Sequence, residues 1–241
     1  MSDLENANPS VPASRPPART WDFMETVFVS LIAYGVYTVA GELLFSILAI
    51  PDAAKMLSPH FGARGFSYIL ASPPAIGVLW IAIRMARRDF VEYLGLNWPT
   101  MRQLLRAMAI TAIVLLAEIL AGYAIGAQEI SPYLYLGANE AGGLFIFLIG
   151  GCIAAPVVEE FVIRGFMFRG WSQSFLGPVG CIVLTSALWG MMHTHYHWFG
   201  RLCIFVTGLA LGYFRWRDNS TWLTVMVHSA MNIFVFFAAA L

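Results

Sequence analysis

The sequence predicts an all-α, polytopic transmembrane bundle of about seven spans, between six and eight. Three observations predict it. Hydrophobic residues make up 59% of the 241 and charged ones only 12%, with a mean hydropathy of +0.70. A soluble domain is nearer half apolar and a quarter charged, so this chain cannot cover a water-facing surface. The apolar residues also fall in runs long enough to span, and the basic residues collect on one predicted side. This composition excludes an ordinary soluble enzyme, a disordered chain and a nucleic-acid partner.

Taken in order, residues 1–20 are polar, contain four prolines and predict a flexible cytoplasmic tail. The remainder, 21–241, reads as a single transmembrane helical domain, with its polar motifs concentrated in 142–241. The first apolar run is too long and too far from the terminus for a cleaved signal peptide. Spanning takes about 20 apolar residues at 1.5 Å rise each. The runs that qualify are 23–49, 66–86, 104–126, 142–168, 179–198, 200–216 and 222–240, the break between the fifth and sixth being only HTHYHWFGR. With the tail inside, eleven basic residues lie on the inner side, and Lys55, Arg64 and Arg201 on the outer. That bias fits the positive-inside rule and a cytoplasmic N-terminus, and the Arg-rich composition and short tail suggest a bacterial plasma membrane protein. The cysteines Cys152, Cys181 and Cys203 lie in apolar runs without motif spacing and read as packing residues.

Ionisable groups in a span are costly and need a partner or a purpose. Glu25 lies near a helix end, and Glu42 and Glu118 are expected to hydrogen-bond within the bundle. The fourth run differs, because Glu159, Glu160 and Arg164 fall within six positions after Pro156. Glu160 and Arg164 are four apart and can pair along one face. Glu159 points about 100° away and is left for another partner. Pro156 is expected to kink the helix, and Gly150, Gly151, Ala154 and Ala155 to admit close neighbours. On later helices Trp189 and His193 are four apart, as are His228 and Asn232. A lone intramembrane histidine is more often a packing residue than a catalyst; this combination on three helices is a much rarer accident. The set suits hydrolysis, with a carboxylate and an imidazole deprotonating water and a second imidazole and a carboxamide donating to an oxyanion. The same groups, Glu159, His193 and His228, could instead hold zinc, although H-E-x-x-H is absent.

The order Glu-Glu-x-x-x-Arg, aromatic-x-x-x-His and His-x-x-x-Asn on apolar helices resembles the CPBP family. That family groups type II CAAX prenyl endopeptidases with bacteriocin-processing and bacteriocin-immunity (Abi) proteins. E-F-V-I-R-G-F-M-F, and F-V-E-Y-L-G-L at 90–96, are typical of it. The resemblance implies an intramembrane endopeptidase acting on a membrane-associated or lipidated protein or peptide. Carried over, Glu159 and His193 would activate water, and His228 and Asn232 would stabilise the oxyanion. Glu160, Arg164 and Trp189 would support them. The family is often labelled metalloprotease, yet its prenyl-protease branch looks like metal-independent glutamate proteases. No cofactor is therefore expected, with zinc as the alternative.

Two departures stand out. Trp189 replaces the usual Phe, a swap expected to affect packing alone. His195 and His197 extend His193 into an alternating cluster, in which His193 and His197 would share a face of a continuous helix and the extra two would be solvated. Depth poses a further problem. Residue counting puts His193 about 14 residues into its helix, towards the far side from Glu159. That helix should be tilted, broken near Gly190 or preceded by a re-entrant loop. Two rival readings are a non-catalytic immunity or scaffold protein of the same fold, and an ion or proton transporter.

Overall fold

The structure, a computed structural model, describes residues 20–49, 61–127 and 141–238. All of the predicted tail except Thr20 lies outside the described residues. Eight helices are described: α1 Phe23–Ala49, α2 Phe61–Met85, α3 Phe90–Leu94, α4 Met101–Ile125, α5 over 141–171, α6 Gly177–Met192, α7 Trp198–Asp218 and α8 Thr221–Ala238. The chain is a polytopic helical bundle and an integral membrane protein. Five helices, α1, α2, α4, α5 and α8, are long and apolar enough to cross a membrane. The count of seven spans included α6, which has only 16 residues, and α7, which carries Arg201, Arg215, Arg217 and Asp218.

Local chemistry sets the helix ends. Asp22 and Glu25 cap α1 reciprocally, each carboxylate accepting from the other's backbone N–H. Thr100 and Gln103 form a capping box at α4. Gly95 ends α3 in the left-handed region at φ 65°, where a side chain would be strained. Its missing Cβ also leaves room for the Arg215 guanidinium, which would otherwise lie 2.5 Å away. The F-V-E-Y-L-G-L segment thereby clamps the turn between α7 and α8. The Thr221 N–H donates to the Gly95 carbonyl, its hydroxyl donates to the Leu94 carbonyl, and Leu96 bridges to Ser220.

Helix α5 carries two widened turns. Pro156 has no N–H and its ring crowds the carbonyl four residues back. The turn before it, Gly150–Ala154, is π-helical, with Ala155 N–H donating to Gly150, so the expected disturbance at Pro156 takes the form of a π-bulge. A second π segment, Phe161–Met167, begins immediately after Glu160. α2 and α5 meet at glycines, as expected for Gly150. A Cβ on Gly150 would strike the Gly65 carbonyl, and one on Gly65 would come within 2.5 Å of Phe147 Cα. Gly150→Val should therefore force the two backbones apart and lower stability by about 1–3 kcal/mol. The thermal midpoint of the detergent-solubilised protein measures this; an unchanged midpoint would refute the contact.

The core runs along α5, where Val158, Phe161, Val162, Ile163 and Phe166 are buried. Outside it, Glu42 pairs with Arg64, whose guanidinium lies 3.7 Å from the Phe45 ring centroid. Glu118 accepts from the Thr207 hydroxyl at 3.2 Å. Both glutamates are thus bonded within the bundle, as the sequence suggested.

Candidate active site

The two adjacent glutamates of α5 have opposite surroundings. Glu160 is fully buried, and its Oε1 accepts from Arg164 Nη1 at 3.0 Å, the pair predicted from their spacing. Arg164 is 1% exposed, reaches the Gly208 carbonyl at 3.4 Å and stacks 4.5 Å from the Trp189 ring centroid. Glu159 is half-buried and lines a cavity of about 1040 Å³. His193, His228, Asn232 and Trp189 line the same cavity, so the candidate residues from three motifs converge.

Antiparallel packing of α5 and α6 resolves the depth problem. Glu159 lies twelve residues before the end of α5, and Trp189 twelve residues after the start of α6. At 1.5 Å per residue both stand about 18 Å from the connecting turn, at the same level. Trp189 Nε1–H donates to Glu159 Oε2 at 2.8 Å. The Trp-for-Phe departure therefore supplies a hydrogen-bond donor that Phe lacks, and packing alone does not describe it.

The continuous helix expected through the histidine cluster is absent. α6 passes through Gly190 unbroken and ends at His193, whose φ and ψ of −82° and 59° leave the helix. A Cβ on Gly190 would approach the Arg201 carbonyl at 2.9 Å, so the glycine serves close packing of α6 against α7. His197 caps α7 on a separate helix, so it shares no face with His193. His195 and His197 are both exposed, as expected. Arg201 braces the intervening loop, donating from Nε to the Tyr196 carbonyl at 2.9 Å and from Nη2 to the Thr194 carbonyl at 2.8 Å.

Hydrogen bonds fix the imidazole tautomers. His193 Nδ1 lies 2.8 Å from the Trp189 carbonyl, which only accepts, so Nδ1 carries the proton and neutral Nε2 a lone pair. His228 is 4% exposed, and its Nδ1 lies 3.0 Å from Glu160 Oε1, the oxygen that also receives Arg164. With Glu160 ionised, Nδ1–H is again the donor. Asn232 Nδ2 donates one N–H to the Gly151 carbonyl at 3.2 Å, leaving a second. Trp189 also meets both imidazoles edge to face, at 5.4 Å from His193 and 5.1 Å from His228.

Several contributors were not singled out in the sequence. Tyr34, Tyr37 and Tyr68 line the cavity from α1 and α2, but lone tyrosines in apolar runs carry no signal of that. Arg215, 3% exposed, donates from Nε to the Arg164 carbonyl at 2.9 Å and steadies the second π segment. Zinc is poorly served by this arrangement. Among the described residues no three His, Cys, Asp or Glu side chains gather closely enough to hold a metal ion, Glu159, His193 and His228 included.

Residues 141–234 match the family model described as type II CAAX prenyl endopeptidase Rce1-like. No curated protein and no solved structure matches the chain. The matched segment contains all of Glu159, Glu160, Arg164, Trp189, His193, His228 and Asn232. Those residues carried the resemblance read from the sequence, and over 141–234, less than half of the chain, the protein is similar to that Rce1-like family, a similarity consistent with a CPBP-type intramembrane protease.

Proposed function

We propose that this protein is an intramembrane endopeptidase that hydrolyses a peptide bond of a membrane-associated or lipidated protein or peptide, with water as the nucleophile and no metal. One observation carries the reading: Glu160 is sealed against Arg164, whereas Glu159 opens onto the cavity that His193, His228 and Asn232 also line. Glu159 takes one proton from the water as it attacks the scissile carbonyl carbon, and the Nε2 lone pair of His193 accepts a hydrogen bond from the water's other O–H. The oxyanion takes hydrogen bonds from the free Asn232 N–H and from His228 Nε2–H. With Nδ1–H turned to Glu160, His228 offers Nε2–H when its ring carries both protons. The tetrahedral intermediate collapses as the stored proton passes to the leaving amine. No step runs through zinc, since among the described residues no three such side chains lie close enough together to hold the ion. The arginine distribution supports an orientation with the N-terminus inside, and the Arg-rich composition favours a bacterial plasma membrane setting.

Purified protein in proteoliposomes, with Glu159→Gln used to trap substrate and mass spectrometry to map the bound peptide, tests this. The expected result is a membrane-associated peptide held by Glu159→Gln and cut by the unaltered protein, with a rate insensitive to chelator. Stoichiometric metal together with chelator-sensitive cleavage would overturn the metal-free mechanism. A further expectation concerns Trp189. Trp189→Phe retains the ring contacts but loses the bond to Glu159, an interaction with a charged group worth about 1.5–3 kcal/mol. It should lower kcat/KM by about tenfold or more without unfolding the protein, and Trp189→Ala should cost more. Equal activity of Trp189→Phe would show that the indole N–H does not orient Glu159.

A further inference from the structure

Glu118 lies well inside α4, a 25-residue apolar span outside the matched 141–234 segment. Carboxylates in such positions are costly and face the bundle interior or a water-filled cavity. Glu42 meets that cost with Arg64. Glu118 has no cation: among the described residues its bond comes from the Thr207 hydroxyl on α7 at 3.2 Å, and a hydroxyl leaves the charge unneutralised. Glu118 and Thr207 both line the cavity that holds Glu159. The described lining contains no lysine or arginine; besides the imidazoles of His193, His195 and His228 it carries the carboxylates Glu118 and Glu159, and Glu42, which Arg64 already neutralises. In surroundings of low dielectric such a wall favours a positively charged guest. Tyr123 and Phe199 line the same cavity and suit the aliphatic stem and charged head of a long basic side chain.

We propose that Glu118 is a substrate-binding carboxylate, and that the cavity selects peptides carrying a lysine or arginine close to the scissile bond. Thr207 orients the carboxylate, and the incoming ammonium or guanidinium supplies the missing counter-charge. The proposal rests on the peptidase reading, since it concerns what enters the same cavity. It adds a specificity determinant from a helix that the Rce1-like match does not reach.

Binding tests it separately from cleavage. Labelled apolar peptides carry one lysine or its uncharged isostere norleucine at each position in turn, and are titrated against the Glu159→Gln protein in detergent. Lysine at one favoured position should tighten binding about tenfold or more, as expected for a close, desolvated charge pair. The preference should vanish when Glu118→Gln is added, a substitution that preserves shape and the bond to Thr207. With Glu118→Lys it should pass to peptides carrying glutamate. Equal binding of lysine and norleucine peptides, no binding of either, or a preference that survives Glu118→Gln would overturn the proposal. In parallel, the unaltered protein is given the same peptides. Failure to cut any of them counts against the peptidase reading, while the binding titration still decides the role of Glu118.

Discussion

Glu159→Ala is expected to lower cleavage by about a hundred- to ten-thousand-fold, the range for losing a positioned general base, while leaving a folded protein in the membrane. The two halves of that expectation come from different features of the site. Activity should fall because Glu159 is the carboxylate open to the cavity, with its Oε2 oriented by Trp189 at 2.8 Å. Stability should hold because Glu159 is half-buried and forms no ion pair among the described residues, so its removal strands no buried charge. Trp189 loses an acceptor but keeps its contacts with Arg164, His193 and His228. Glu159→Gln should retain the contact with Trp189 Nε1 through its carbonyl oxygen and still fail to accept the proton. The two variants together therefore separate orientation from basicity. Single-turnover cleavage in proteoliposomes and size-exclusion behaviour in detergent are the measurements. Full activity in either variant would sink the role given to Glu159, and loss of the folded peak in both would make the glutamate structural.

How much of this was legible in the sequence depends on how rare each signal is in hydrocarbon. Glu159, Glu160 and Arg164 could be read because charge is scarce in this chain, and four-residue spacing alone sorts the paired glutamate from the open one. The glycine contact between Gly65 and Gly150 was half legible: Gly150 marked a close approach, but nothing in the sequence named the partner. The end of α6 was not legible. W-G-M-M-H-T-H-Y-H-W contains no proline or acidic residue to stop a helix, so an apolar count runs straight through His193. The geometry turns instead on the equal distance of Glu159 and Trp189 from the α5–α6 turn. The bond from Trp189 to Glu159 was missed for a related reason, since an aromatic beside a histidine on one helix reads as packing. Both π segments also escape a reading that counts at 3.6 residues per turn.

Breaking the Glu160–Arg164 pair should produce the largest loss of stability available at the site. Glu160 is 0% exposed and Arg164 1%, so removing either partner leaves the other charged in an apolar core. Such removal typically costs about 3–5 kcal/mol. Arg164→Ala also forfeits the contact with the Gly208 carbonyl and the stack on Trp189. Glu160→Ala strands the guanidinium and takes away the acceptor that fixes His228 Nδ1. The double variant Glu160→Leu with Arg164→Met separates the two roles. Replacing a buried pair by apolar residues of similar volume is often neutral for stability, so the double variant should regain most of the thermal midpoint lost by either single one. Cleavage should not return with it, because His228 still lacks the carboxylate that holds its Nδ1–H and orients its ring. A fully active double variant would show that Glu160 only packs the helix. Unchanged midpoints in both single variants would show that the pair does not carry buried charge. Recovered stability without recovered activity is the outcome that makes Glu160 a positioning residue for His228.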